Sequence, residues 1–431
     1  MKNFIDFIKA SPTAYHAVVS SKKILLENNF KELSLDEKWS LEKGNKYFVI
    51  KSDGSIIAFT IGKKLDNPSI QVVASHDDSP MLKIKPNGVI VSKEYTMINS
   101  EVYGGLIYST FLDRPLGIAG RVMIQNKSGL STKLVNLPTT VIIPNLCIHM
   151  NREINKGYSF NAQTDLQAIL SLSNTSITDL LKEEIKDSQI LDYDLFLYNK
   201  EEPTIAGQES ELICSPRLDN LECLYSSLEA FVESSNDDNI NIWATFNHEE
   251  IGSNSNHGAA STFLKDVIDD ILDSLNLSDY RTQILNNTIV VSADNAHAVH
   301  PNHLGVNDPT NCVYMNKGIV IKYNAGLSYT TDAISSGLFK ALCNAVNVPY
   351  QVYTNRSDIR GGSTLGCILL KSVSVVSVDI GLAQLAMHSA YETAGTKDLK
   401  MMTMVLKEFY NKHLVVKNNV YNWKWLNDNF L

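Results

Sequence analysis

The chain lacks the residue patterns of disulfide-rich, thiolate-zinc and membrane-spanning proteins. Its six cysteines are scattered over 431 residues without a C-x-x-C pair, at Cys147, Cys214, Cys223, Cys312, Cys343 and Cys367. Such spacing disfavours both a disulfide framework and a zinc site built from thiolates. No apolar run approaches the roughly 18 residues that a membrane span needs. The sequence therefore predicts a cytoplasmic protein without a membrane partner.

Basic charge is also scarce. The chain has 38 lysines and arginines against 47 aspartates and glutamates, which gives a formal net charge of -9. Nucleic acids and anionic membranes are bound by concentrated basic surfaces, and no basic cluster of that kind occurs here. With 44% apolar and 20% charged residues, the composition is that of a globular protein with core enough for two or three domains.

Four short apolar runs rich in β-branched residues predict buried strands. They occupy residues 69–75, 240–246, 288–293 and 373–380. A helical pattern precedes them at residues 12–28, and another lies between them at 219–234, where leucines recur at steps of three and four. Continuous apolar strands alternating with helices are typical of an α/β sheet covered on both faces. We therefore expect a central, mostly parallel sheet flanked by helices.

Residues 87–213 have a different pattern. Short segments of alternating polarity and turn residues fill this region, which predicts a β-rich domain. It interrupts the α/β sheet in sequence. We therefore predict a discontinuous first domain, residues 1–86 and 214–431, and an inserted second domain, residues 87–213.

Three predicted strands end at clusters of ionisable residues. Residues 69–75 lead into His76-Asp77-Asp78, residues 240–246 into Asn247-His248-Glu249-Glu250, and residues 288–293 into Asp294-Asn295-Ala296-His297. Ligands of open α/β sheets bind beyond the carboxyl ends of the strands, where distant parts of the chain converge. We expect these side chains to meet at one edge of the sheet.

The converging residue types suit a hydrolytic two-metal centre. Such centres use imidazole and carboxylate ligands, and one carboxylate can bridge the two ions. The candidates are two histidines and three acids: His76, Asp219, Glu250, Asp294 and His388. Asp78 is placed to accept the second N–H of His76 and fix its tautomer. Glu249 is then free to act as general base for a water molecule.

Each candidate also has an ordinary interpretation. Adjacent glutamates such as Glu249 and Glu250 are most often a solvated charge pair. Asp219 could serve only as a helix N-cap. His388 lies in an apolar, helix-like stretch, where a single histidine is usually a core residue. A lysine such as Lys322 is usually a solvated surface residue, so only the whole pattern favours a site.

Five blocks in order resemble the aspartyl aminopeptidase / aminopeptidase I family of dinuclear zinc exopeptidases. They read HDDSP at 76–80, RLDNL at 217–221, HEEIGS at 248–253, SADNAHAVHPN at 292–302 and QLAMHS at 384–389. The resemblance runs from SPTAYH at 11–16 to near the C-terminus. It implies the zinc exopeptidase fold, and an inserted domain that makes dimers.

The resemblance also implies a role for each residue. One zinc would be held by His76, Asp219 and Asp294, and the other by Asp219, Glu250 and His388, so that Asp219 bridges. Asp78 and Glu249 match the two catalytic carboxylates of the family. Carboxylate-rich sites also accept manganese or cobalt, so the native metal is left open.

Substrate contacts carry over in the same way. The implied set is His149, Glu249, Asp294, His297, Lys322 and Tyr329, with the carboxylates helping to bind the free α-amine of a peptide. His149 lies in the inserted domain, which in the family lends this residue to a neighbouring subunit, and the family assembles dodecamers. Lys322 would suit an acidic first side chain.

Two departures leave the substrate open. The family usually has Trp or His near Tyr103-Gly104-Gly105-Leu106, where this chain continues with Ile107, and the loop at 356–364 fits a variant pattern. These departures concern the substrate preference and not the reaction type, so one alternative is an aminopeptidase for neutral or hydrophobic residues. A deacylase or carboxypeptidase on the same scaffold is a separate alternative, which would not need a free N-terminal amine. A non-catalytic assembly protein is a third class, although no ligand and no general base is missing.

Overall fold

The computed structural model describes residues 1–186, 188–235 and 237–424. The last residues of the first predicted domain, 425–431, lie outside this described part.

These residues form strands and helices in frequent alternation. The strands are β1 (Lys31–Glu32), β2 (Lys46–Lys51), β3 (Ser55–Ile61), β4 (Ile70–His76), β5 (Met81–Ser92), β6 (Tyr95–Tyr103), β7 (Leu116–Asn126), β8 (Gly129–Val141), β9 (Ile169–Ser171), β10 (Gln189–Asn199), β11 (Thr204–Ala206), β12 (Leu212–Ser215), β13 (Ile240–Phe246), β14 (Ile289–Ala293), β15 (Ala296–His297), β16 (Ile319–Lys322), β17 (Tyr350–Tyr353), β18 (Val376–Gly381), β19 (Ala383–Leu385), β20 (Glu392–Gly395), β21 (His413–Lys417) and β22 (Val420–Lys424).

The helices range from one turn to four. They are α1 (Lys2–Ala10), α2 (Ala14–Glu27), α3 (Ala162–Asp165), α4 (Ile177–Glu184), α5 (Leu218–Val232), α6 (Phe263–Ser274), α7 (Arg281–Asn286), α8 (Ala333–Ala345), α9 (Leu365–Leu369) and α10 (Asp398–Asn411). Among the helices of the described residues, each is too short or too polar to cross a membrane.

A nine-stranded sheet forms the centre of the fold, in the order β1-β2-β3-β13-β4-β14-β18-β16-β17. Its middle strands β13, β4, β14 and β18 are all parallel. β4 and β13 are buried along their whole length, and separate apolar clusters cover the two faces of the sheet. The predicted α/β class with a mixed, mostly parallel sheet is confirmed.

The predicted elements and the observed ones agree closely at the centre of the sheet. The strand predicted at residues 240–246 is β13, and the strand predicted at 69–75 is β4, displaced by one residue. The last predicted strand begins later than expected, at Val376, because Val373 belongs to the turn after α9 and packs in the core there. Periodic leucines identified α5 correctly, although it begins at Leu218.

A second, six-stranded sheet has the order β8-β7-β10-β5-β6-β9 and is antiparallel throughout. It has its own apolar cluster, to which α4 contributes Ile177 and Leu181. The division of the chain at residues 87 and 213 stays a prediction. β5 begins at Met81 and crosses the first of these positions without a break.

A small third sheet links the two regions. Its order is β11-β12-β20-β19-β15, and it combines strands that follow the second sheet in sequence with strands from the end of the chain. β15 ends at His297, and β19 ends three residues before His388. This sheet therefore places two of the candidate residues.

Candidate active site

The three clusters predicted to converge lie at one edge of the central sheet. β4 ends at His76, and its neighbour β13 ends opposite it at Phe246, three residues before Glu249. β14, the neighbour of β4 on its other side, ends one residue before Asp294. Parallel strands in register deliver these side chains to a common volume, so residues over 200 positions apart in sequence become neighbours.

One group of possible metal ligands contains His76, Asp219 and Asp294. The Nε2 atom of His76 lies 3.3 Å from Oδ1 of Asp219 and 3.5 Å from Oδ1 of Asp294. All three residues are buried.

A second group contains His388, Glu250 and again Asp219. The Nε2 atom of His388 lies 3.4 Å from Oδ2 of Asp219 and 3.3 Å from Oε2 of Glu250. Asp219 thus directs one carboxylate oxygen toward each histidine. That arrangement suits a carboxylate shared by two ions.

The spacing of these atoms fits metal ligands better than a hydrogen-bonded cluster. Ordinary N–H···O bonds measure about 2.7–3.2 Å, whereas ligand atoms at the corners of a tetrahedron with ~2.0–2.1 Å bonds to zinc lie about 3.3–3.4 Å apart. His76 Nε2, Asp219 Oδ1 and Glu250 Oε1 are buried without a hydrogen-bond partner among the described residues. His76, Glu249 and Glu250 also come close enough to hold an ion.

The electrostatics of the cluster point the same way. Burial lowers the pKa of His76, but the nearby carboxylates of Asp219, Asp294 and Asp78 outweigh burial and raise that pKa well above its usual value. Burial and the neighbouring Asp219 carboxylate raise the pKa of Glu250 well above its usual range. Buried carboxylates packed this closely cannot all stay charged without cations between them. The donor set therefore fits divalent metal ions.

Asp78 lies behind the ligands. Its backbone carbonyl accepts a hydrogen bond from Nδ1 of His76 at 3.0 Å, and since a carbonyl only accepts, Nδ1 carries the proton and Nε2 offers its lone pair. The carboxylate of Asp78, 3.4 Å from Nδ1 of His76, accepts bonds from the backbone N–H groups of Glu249 and Glu250 at 3.1 and 3.2 Å. The sequence predicted the carboxylate as the acceptor, whereas the shorter contact is to the carbonyl.

Glu249 opens a short 3-10 helix, Glu249–Ile251, that follows β13. Burial raises the pKa of Glu249 to about 8, with further raising by Asp294, Asp78 and Asp219 against the lowering effect of His76. His248, with φ 67°, turns the chain so that the two glutamates leave the strand direction. Both carboxylates reach the cluster, in agreement with the convergence expected at the edge of the sheet.

Asp219 and His388 sit in backbone conformations that the sequence did not predict. Arg217 has φ 60°, and Asp219, with φ -81° and ψ 108°, is non-helical at the start of α5, while its carboxylate faces the two histidines. His388 lies in a turn with φ 68° and not in a helix. In both places a tight turn carries the side chain toward the cluster.

Glu392, on β20, was missed by the sequence analysis. Its buried carboxylate accepts the backbone N–H of His388 at 2.8 Å and that of Asp219 at 3.0 Å. Burial, with the Asp219 charge, raises the pKa of Glu392 to about 8. A single glutamate inside the apolar stretch after QLAMHS was the available signal, because a buried acid in a strand needs partners.

Lys322 lies against Asp294, and Tyr329 lies beside Lys322. The Lys322 ammonium donates to the carbonyl oxygens of Asp294 and Asn295 at 2.7 and 3.2 Å, and lies 3.5 Å from Oδ2 of Asp294. It also lies 5.1 Å from the centre of the Tyr329 ring. Lys322 is only 1% exposed, so the interpretation as a solvated surface lysine is wrong.

The other two candidate substrate residues differ in position. His297 is exposed at the end of β15, and its pKa is lowered by surrounding protein and by the Lys322 ammonium. His149 lies in an exposed turn after β8. Within the described residues, the structure gives its side chain no hydrogen bond or ion pair to the cluster.

The sequence matches a known family over most of its length. Residues 7–410 match the family described as Aminopeptidase I zinc metalloprotease (M18). The chain is 44% identical to a probable M18 family aminopeptidase 2 of Clostridium novyi over 422 residues, 94% of this chain and 97% of that protein. It is 37% identical to a protein of the same description from Pseudomonas aeruginosa, over 95% and 97% of the two chains.

Solved structures give the same result. A chain of the Ape4 and Nbr1 complex superposes with a TM-score of 0.90 at 33% identity, over 95% of this chain and 85% of that one. The Saccharomyces cerevisiae mApe1 dodecamer gives a TM-score of 0.81 at 25% identity, over 95% of both chains. The chain therefore belongs to the M18 family of zinc-dependent aminopeptidases, which are peptidase hydrolases.

Proposed function

We propose that this aminopeptidase hydrolyses peptides with two zinc ions, one held by His76, Asp219 and Asp294 and the other by Asp219, Glu250 and His388. The observation that supports this most directly is the position of Asp219, whose two carboxylate oxygens face the two histidines at 3.3 and 3.4 Å. Manganese or cobalt fits the same oxygen-rich donor set.

Zinc at these ligands would lower the pKa of a water molecule and polarise the scissile carbonyl. Glu249 would take the proton from the attacking water and pass it to the leaving amine, because its carboxylate lies among the candidate ligands without being needed as one. Asp78 keeps Glu249 in place through the backbone N–H of that residue.

Recognition of the substrate falls to the remaining residues of the site. The carboxylates of Glu249 and Asp294 attract the free α-amine, which sets an aminopeptidase apart from a deacylase or carboxypeptidase. Tyr329 donates a hydrogen bond to the developing oxyanion. His297, exposed at the end of β15, contacts the bound peptide.

An acidic first residue is the substrate class that Lys322 supports. Its buried ammonium acts through a medium of low dielectric constant, where an unscreened charge attracts a carboxylate strongly. The alternative, a neutral or hydrophobic first residue, is favoured by the burial of Lys322 and by the bonds that it already makes to the Asp294 and Asn295 carbonyls.

Assembly is part of the proposal. A related protein forms a dodecamer, and we propose that this chain likewise self-associates through the region at 87–213. His149, exposed in that region, then reaches the site of a neighbouring subunit and joins Tyr329 at the oxyanion. The enzyme would act in the cytoplasm, on peptides.

One experiment separates the candidate functions. Purified protein is incubated with the anilides of Asp, Glu and Leu and with N-acetylated Leu anilide, before and after chelation and zinc reloading. We expect hydrolysis of free anilides only, lost on chelation and restored by zinc. Release of acetate from the acetylated substrate would identify a deacylase, and inert metal-loaded protein would rule out both the aminopeptidase and the deacylase.

A further inference from the structure

The chain leaves strand β6 of the second sheet and passes directly beside the metal-ligand cluster of the first. This part of the chain consists of residues 103–107, which we name the bracing segment. Three of its groups bond to residues that hold or surround the proposed ions. They come from the inserted region, for which the resemblance implied only dimerisation and the loan of His149.

The first contact is made by Tyr103, the last residue of β6. Its hydroxyl donates to Oδ2 of Asp78 at 2.7 Å, in a buried position where the ring packs edge-on against Phe196 at 5.4 Å. The same carboxylate accepts the backbone N–H groups of Glu249 and Glu250. Tyr103 thus supplies a third donor to the acid that fixes the position of the general base and of one ligand.

The second and third contacts concern His388. The carbonyl oxygen of Gly105 accepts the hydrogen bond of Nδ1 at 3.0 Å, which leaves the Nε2 lone pair facing Asp219 and Glu250. The backbone N–H of Ile107 donates to the carbonyl of His388 at 3.1 Å. The tautomer and the backbone of one ligand are therefore both set by the bracing segment.

The two glycines allow this close approach. Gly104 has φ +79°, and a Cβ atom there would lie 3.1 Å from Cβ of Glu250. A Cβ atom at Gly105 would lie 3.2 Å from Nδ1 of His388. A side chain at either position would press on a ligand residue, which would have to shift by a few tenths of an ångström, and at Gly104 the positive φ also favours glycine.

We propose that the bracing segment is a positioning element of the metal centre, with Tyr103 acting through Asp78 and Gly105 through His388. This inference rests on the proposed two-zinc site. Partners of this kind orient the ligands of a metal, and their loss typically costs 10- to 100-fold in metal affinity or activity. The inserted region then contributes to the site of its own chain as well as to assembly.

The test compares Tyr103→Phe with Tyr193→Phe. Tyr193 lies on the same sheet, and its hydroxyl donates to the carbonyls of Lys85 and Pro86, away from the cluster. Zinc dissociation constants are measured by competition with a chromogenic chelator, and kcat and KM with the best anilide. We expect zinc affinity at least 10-fold weaker and lower kcat for Tyr103→Phe, and values within twofold of the unaltered protein for Tyr193→Phe.

Gly105→Ala provides an independent second variant, with Gly305→Ala as its control because a Cβ atom there meets nothing within 4 Å. We expect weaker zinc binding for Gly105→Ala alone, with the unfolding temperature measured in parallel. Unchanged zinc affinity in both Tyr103→Phe and Gly105→Ala would overturn the proposal. Zinc bound without hydrolysis in the unaltered protein would refute the proposed function but leave this comparison valid, since affinity is measured without substrate.

Discussion

The central sheet and the inserted sheet differ in how they bury their residues. β4 and β13 are buried on both faces, whereas β8 is exposed along its first half and alternates only near its end. Strands buried on both faces are anchored along their length, so their ends hold position, and the candidate ligands follow those ends. The segment that follows the inserted sheet contributes the backbone carbonyl of Gly105 and the backbone N–H of Ile107 to the site, and the last residue of β6 contributes the hydroxyl of Tyr103.

This contrast separates two kinds of contribution to a site. The central region supplies side chains that can bind ions and move a proton. The inserted region supplies groups that orient those side chains. We therefore expect substitutions in the central region to reduce kcat or zinc affinity more than substitutions in the inserted region do.

The largest effect is expected for Glu249→Gln in the central region. The amide cannot accept the proton of the attacking water, so kcat should fall by roughly 10² or more while zinc content stays normal. Glu233→Gln, which alters an exposed ion pair with Lys407, serves as control and should leave kcat unchanged. Turnover of Glu249→Gln near the normal rate would refute its role.

Glu392→Gln should have the next largest effect and provides the counterpart of Tyr103→Phe within the central region. Its carboxylate accepts two backbone N–H groups, from His388 and Asp219. An amide can accept only one of them and turns an N–H donor toward the other. We expect zinc affinity to fall near 100-fold, at the upper end for residues that orient ligands. If zinc affinity falls less in Glu392→Gln than in Tyr103→Phe, then the inserted region orients the ligands more strongly than the central region does.

Lys322→Met should have a smaller effect that depends on the substrate. If the ammonium selects acidic residues, kcat/KM for Asp and Glu anilides should fall on the order of tenfold more than for the Leu anilide, as a charge pair predicts. Lys340→Met, near Tyr323, serves as control. Equal losses on all substrates would show that Lys322 only supports Asp294, and would favour a neutral first residue.

The sequence predicted the central sheet well because its signals are local. A run such as residues 240–246 carries its strand pattern within seven residues, and the acids that follow it are adjacent in sequence. Convergence at the sheet edge then follows from the parallel arrangement. The placement of His76, Asp219, Glu250, Asp294 and His388 in two groups agrees with this prediction, although their roles as ligands stay proposals.

The residues that orient the site could not be predicted in the same way. Tyr103 and Asp78 are 25 positions apart, and Gly105 and His388 are 283 apart. Their contacts depend on how one sheet is packed against another, which no short pattern encodes. The turn conformations of Arg217 and His388, both with positive φ, were also not predicted, because only a few per cent of non-glycine residues adopt them.

The most direct test of the account is the zinc content of the active protein. Zinc is measured by mass spectrometry after saturation and removal of loosely bound metal, together with protein concentration and specific activity. The two ligand groups that share Asp219 predict two zinc ions per chain. Full activity with a single ion per chain would contradict the shared site.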